Sequence, residues 1–116
     1  MNQGHKDLVV WQKAMTLTTF VYELLQSYPK EELFGLTSQM KRSAVSIPSN
    51  IAEGYGRNTT KDFKHFLSIA YGSALEPDTQ FTLGKRLSFG KSVLYTKIEA
   101  ILEEVLKMLS TMKKSS

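Results

Sequence analysis

Apolar side chains recur along this chain at alternating steps of three and four residues, in four separate stretches. That spacing fixes the kind of fold the chain can form. Between Asp7 and Tyr28 the series is Val10, Ala14, Leu17, Val21, Leu24, Tyr28. Residues so spaced share one face of a helix, whereas a strand would need a step of two. Leu8, Trp11, Met15 and Leu25 lie beside the seam and widen it into a core-facing stripe. Asp7 suits the start, where a negative charge meets the positive end of the helix dipole. Pro29 stops this helix and suits the first position of the next, with Glu31 and Glu32 in the first turn.

The second seam reads Leu33, Leu36, Met40, Ala44, Ile47, Ile51. Pro48 falls inside it, so a kink or break is expected there. Gly54, Gly56 and Asn58 supply a loop, and Thr59 or Thr60 an N-cap, with Asp62 completing an approximate capping box. The third seam is Phe63, Leu67, Ala70, Ala74, Pro77, Phe81, Gly84, with a second kink expected at Pro77. Ser88, Phe89 and Gly90 form the next turn, and Leu94, Ile98, Ile101, Val105, Met108 and Met112 the last seam. Lys113 to Ser116 are expected to fray. The reading is all-α: one domain over 1–116, an up-down-up-down four-helix bundle with helices near 7–28, 30–55, 60–87 and 91–112.

Length and composition narrow the function. The chain has 116 residues, 41% of them hydrophobic, which supports one core. It has no cysteine, which excludes a disulfide framework, a thiol nucleophile, Fe–S clusters and zinc sites with sulfur ligands. No segment approaches the 18–20 apolar residues, roughly, that a membrane span needs. Gln12 and Lys13 interrupt any apolar run of signal-peptide type, so the cytoplasm is the expected location. Asn58-Thr59-Thr60, formally a glycosylation acceptor, then has no role.

Chemistry is thinly represented. A di-metal bundle site needs two Glu-x-x-His units and two further glutamates. The chain offers only Asp62-Phe63-Lys64-His65 and a distant His5. Glu31/Glu32 and Glu103/Glu104 are adjacent pairs, whose side chains diverge on a helix and form no acid–base couple. Gly54-Tyr55-Gly56-Arg57 lacks the Gly-Lys-Ser/Thr end of a phosphate loop. No catalytic residue, metal or cofactor is expected, and the chain reads as a non-enzyme.

Two features ask for more. Arg42, Ser46, Ser49 and Glu53 share one side of the second helix, in a stretch rich in small residues. It serves either tight packing around Pro48 or a subunit contact. Charge is also uneven: of a net +4, the segment Lys41–Lys64 carries +3, Lys85–Lys97 carries +4, and the remainder is negative. Such segments suit phosphate backbones. Arg42, Arg57, Lys61 and Lys64 are the first candidates for contact, with Lys85, Arg86 and Lys91 second. In an antiparallel bundle the two loops concerned lie at opposite ends, so only an oligomer would multiply each patch. Tyr55, Tyr71 and Tyr95 are candidates for stacking on bases or for packing at helix edges.

The run from Phe34 to Arg57, above all Ser46-Ile47-Pro48-Ser49-Asn50-Ile51-Ala52-Glu53-Gly54, closely resembles the signature of the four-helix-bundle family of 23S rRNA intervening-sequence proteins, small bacterial proteins often labelled ribosomal-protein-like. Asp7 to Ala14 resembles that family's opening helix, and Phe66 to Ala70 with Gly72-Ser73 and Thr79-Gln80 its third. The resemblance spans about residues 7–110. It implies a ring-like homopentamer without established catalytic activity. It also implies kinship with the accessory protein of diversity-generating retroelements, a basic pentamer that binds nucleic acid and a reverse transcriptase. Arg42, Ser49, Asn50, Glu53, Gly54 and Arg57 stand at signature positions, and Ser46 and Pro48 complete the candidate subunit-contact set. Glu76-Pro77-Asp78 departs from the family's Glu-Leu-Glu-like run. The expectation is a homo-oligomer, a pentamer, that binds RNA or DNA through symmetric basic surfaces. The alternative is an adaptor ring that recruits a protein partner such as a polymerase.

Overall fold

The four seams fold as helices α1 (Val9–Leu25), α2 (Leu36–Tyr55), α3 (Thr60–Arg86) and α4 (Ser92–Lys114), with 3-10 turns at Gly4–Asp7 and Lys30–Glu32. The computed structural model describes residues 4–114, and the expected fraying of Ser115 and Ser116 lies outside them. Each helix packs on two neighbours in the cyclic order α1–α2–α3–α4, and among the described residues no diagonal pair approaches closely. Side-chain pairs show every neighbour to be antiparallel: Lys41 over Tyr22 and Thr18 on Ala44 for α1/α2, Ser46 on Ser73 and Ser43 on Gln80 for α2/α3. The molecule measures 43 × 24 × 23 Å. Its long axis is that of α3, whose 27 residues rise about 40 Å.

The first three seams bury as read except at Leu33, Leu36 and Phe63. Ala14, Leu17, Leu24, Ile47, Ile51, Ala70 and Ala74 are fully shielded from solvent. Thr59 caps α3 by accepting a hydrogen bond from the Asp62 amide at 3.1 Å. Phe63 is only partly buried, and Ser73 joins the buried face of α3 next to Ala74.

Five details differ from the periodic reading. Helix α2 begins at Leu36 rather than near 30, because Pro29 is extended and Gly35 is non-helical (φ −111°, ψ −111°). Leu33 is thereby left exposed, and Glu32 reaches forward to accept from the Leu36 amide at 3.3 Å. Helix α1 ends at Leu25, although Tyr28 still inserts its ring into the core. Helices α2 and α3 run unbroken through Pro48 and Pro77. At Pro48 the carbonyl deprived of its partner is that of Ala44, four residues back. The Thr18 hydroxyl lies 3.1 Å from it while also bonding the Ala14 carbonyl at 2.8 Å, so α1 supplies part of what proline removes. Finally, the inward residues of α4 are Leu94, Tyr95, Ile98, Leu102, Val105 and Leu109; Ile101, Met108 and Met112 pack at the core's edge instead. Leu102 and Leu109 sit one position along from Ile101 and Met108, and an apolar stripe this wide offers both registers. Lys113 and Lys114 remain helical rather than frayed.

Ser88 and Gly90 turn the chain from α3 into α4 with positive φ, 59° and 76°. The Phe89 amide bonds the Gly84 carbonyl at 2.9 Å and the Ser88 amide that of Lys85 at 3.0 Å, the Schellman pattern that closes a helix.

Candidate nucleic-acid interface

Up-down topology gives the bundle two chemically distinct ends. At one, the connection from α2 to α3 carries Arg57, the first turns of α3 carry Lys61 and Lys64, and α4 runs back toward the same side. Arg57 is held in place: its Nη2 pairs with Glu53 Oε2 at 2.8 Å, one helical turn back, and its guanidinium lies over the Phe66 ring at 4.8 Å. Stacking on an aromatic face fixes a guanidinium while leaving its outer donors open. Among the described residues Lys61 and Lys64 have no ion-pair partner. Tyr55 is partly exposed, edge-on to Phe63 at 6.0 Å. Lys113 covers the half-buried Tyr71 ring at 5.0 Å.

The other end carries Lys85, Arg86 and Lys91. Lys85 pairs with Glu99 and lies 5.8 Å from the centre of the Tyr95 ring. It lines a cavity of about 610 Å³ with Phe89, Tyr95, Thr96 and Glu99. Arg86 and Lys91 are exposed and, among the described residues, form no ion pair. About 38 Å of α3 separates Lys61 from Arg86. Arg42 belongs to neither end: it lines a groove between α2 and α3 with Gln39, Glu76 and Gln80, its Nη2 3.4 Å from Ser38 Oγ. The seven candidates thus form two clusters and one isolated arginine.

Tyr95 is not a stacking platform. It is buried, accepts the Tyr28 proton across a 2.5 Å contact, and donates its own to the Phe89 carbonyl at 2.7 Å. Burial raises the pKa of both phenols, and the mutual hydrogen bond raises that of Tyr28 further.

The signature stretch divides between two faces of α2. Ser46, Asn50 and Gly54 turn toward α3. Ser46 Oγ meets Ser73 Oγ at 2.8 Å, and Asn50 Nδ2 donates to Ser46 Oγ at 2.9 Å. A methyl group at Gly54 would fall 2.6 Å from Phe66 Cβ. Pro48 is buried, Ser49 is exposed at a groove between α1 and α2, and Glu53 holds Arg57. Small residues therefore bring α2 and α3 together within one chain, while Ser49 stays open to the outside.

Periodicity in the sequence did not disclose Lys113 on the Tyr71 ring, since only the closing of the bundle brings α4 there. Among the described residues no three histidine, aspartate or glutamate side chains converge as metal ligands, and no helix is long and apolar enough to cross a membrane. His5 and His65 instead meet the rings of Trp11 and Phe66, at 5.0 and 5.5 Å.

An antiparallel four-helix bundle with a basic cluster at each end is the class of protein these features define. Residues 6–111 match the model of the 23S rRNA-intervening sequence protein family, and the chain belongs to that family. No curated protein matches the sequence.

Proposed function

We propose that this protein is a non-enzymatic, cytoplasmic homo-oligomer, a ring of five copies, that binds RNA through basic side chains repeated by its symmetry. The observation that carries this reading is the α2–α3 end, where Lys61 and Lys64 stand without carboxylate partners beside an Arg57 fixed by Glu53 and Phe66. A cyclic ring turns equivalent ends of all its copies to the same side, so a cluster too small to hold RNA in one copy is multiplied. The family's description refers to 23S rRNA, which makes a structured rRNA fragment the natural probe.

Light scattering with and without that RNA tests the reading. A mass near five times 13.1 kDa is expected, rising with RNA at low salt. If six or more phosphates are neutralised, affinity should fall about a thousandfold or more between 50 and 200 mM salt. Affinity indifferent to salt, or a monomer that ignores RNA, would overturn it.

One observation favours a second reading, an adaptor ring that recruits a protein such as a polymerase. Phe34 is 92% exposed and Leu33 51% exposed, side by side on the turn before α2. Apolar side chains so placed suit a protein partner better than RNA. An oligomer whose mass RNA leaves unchanged would turn the assignment toward this adaptor.

A further inference from the structure

Two exposed apolar patches lie on different sides of the bundle at the same height. The first is a groove of about 340 Å³ between α1 and α2, lined by Trp11, Met15, Val45, Pro48, Ser49 and Ala52. The second is the outward ridge of α3 formed by Ile69, Gly72 and Leu75, one helical step of three apart. Met15, Val45, Ile69 and Leu75 are each between 39% and 47% exposed. The Ser46–Ser73 bond sets the height: it places Ile69 to Leu75 level with Val45 to Ala52.

Gly72 is the telling residue of the ridge. A glycine inside a helix costs about 1 kcal/mol relative to alanine. Among the described residues, nothing beyond its own helix backbone comes within 4 Å of where its Cβ would stand, so packing against the other helices gives no reason for it. A saddle between two apolar knobs instead lets another backbone approach closely.

The charges beside the patches are opposite. Lys41 flanks the groove, lying over Tyr22 at 5.1 Å without a carboxylate partner. On α3 the only charges between His65 and Gly84 are Glu76 and Asp78, and neither is ion-paired within the chain. Ser46 bonds Ser73 at 2.8 Å, and five residues further along the antiparallel pair Lys41 stands close to the level of Asp78.

We infer that the ridge of one copy docks into the α1–α2 groove of the next, with Lys41 facing Glu76 and Asp78. This rests on the oligomer proposed above and assigns its surfaces. The two patches differ, so the contact is heterologous; they share a height, so successive copies rotate with little rise and close into a ring instead of a filament.

The absence of cysteine allows a clean test. Ser49→Cys and Ser68→Cys, both at exposed serines, are compared singly and together using a short bismaleimide. The double variant should give a covalent ladder up to the full ring, and each single variant none. An oligomer by light scattering whose double variant cross-links no better than the singles, or a single variant that forms a covalent dimer, overturns the assigned surfaces and leaves the oligomer standing. A monomer overturns both. In parallel, Lys41→Glu should raise the concentration needed for assembly by about tenfold or more, since like charges then face each other. Adding Glu76→Lys and Asp78→Lys should restore assembly. Loss without rescue counts against the pairing.

Discussion

The phenol of Tyr28 has a single outlet for its proton, the oxygen of Tyr95, because Tyr95 spends its own on the Phe89 carbonyl. Gly84 lies directly beneath both oxygens, leaving no space for even a methyl group. Such a pair resists ionisation: burial penalises either phenolate, and the shared hydrogen bond holds the Tyr28 proton further. The folded state therefore binds the Tyr28 proton more tightly than the unfolded chain does. The resulting stability is fully present below pH 10.0, the ordinary value for tyrosine, and is lost as pH rises beyond it. Melting temperature should stay level from neutral pH to about 9 and drop above 10. Tyr28→Phe should cost about 1 kcal/mol at neutral pH by removing a hydrogen bond, yet shallow the alkaline decline. An equally steep decline in the variant would place the titrating group elsewhere.

At the scale of helices, the α2–α3 contact depends on residues that yield no space. Gly54 meets Phe66 Cβ and the Phe63 carbonyl, atoms fixed to the backbone of α3, so a methyl group there can be relieved only by moving the helices apart. Gly54→Ala should destabilise by about 1–3 kcal/mol despite alanine's better helix propensity, measured by urea unfolding. A gain in stability would mean that the helices slide easily. How the elements read from sequence follows the same physics. Helices α1 to α3 were legible because each carries one narrow seam bounded by proline, glycine or a capping threonine. Helix α4 was legible as a helix but not in its register, because Ile101 and Leu102, like Met108 and Leu109, are apolar neighbours and only packing against α1 and α3 chooses between them. Leu33 fits the period of its seam but lies before Gly35, whose backbone delays the helix. The unbroken path through Pro48 was not legible either, since it relies on a hydroxyl 26 residues away in another helix.

For the molecule as a whole, what matters is which charges share an end. Arg57, Lys61 and Lys64 were legible as a group because one short connection carries them. That Lys113 covers Tyr71, and that Lys85 spends its charge on Glu99, are products of helix pairing that no local pattern announces. The two ends should therefore behave differently. Reversing charge with Lys61→Glu and Lys64→Glu should weaken RNA binding by at least about tenfold and flatten its salt dependence. The same treatment of Arg86 and Lys91 should matter less. Equal losses from both pairs would mean that RNA spans the length of the bundle. Assembly itself needs no label to follow. The chain has a single tryptophan, Trp11, half-buried in the α1–α2 groove to which the proposed contact assigns a neighbour's ridge. Its indole is a built-in optical gauge: emission should move to longer wavelength as dilution uncovers the groove, so the unmodified protein reports its own dissociation.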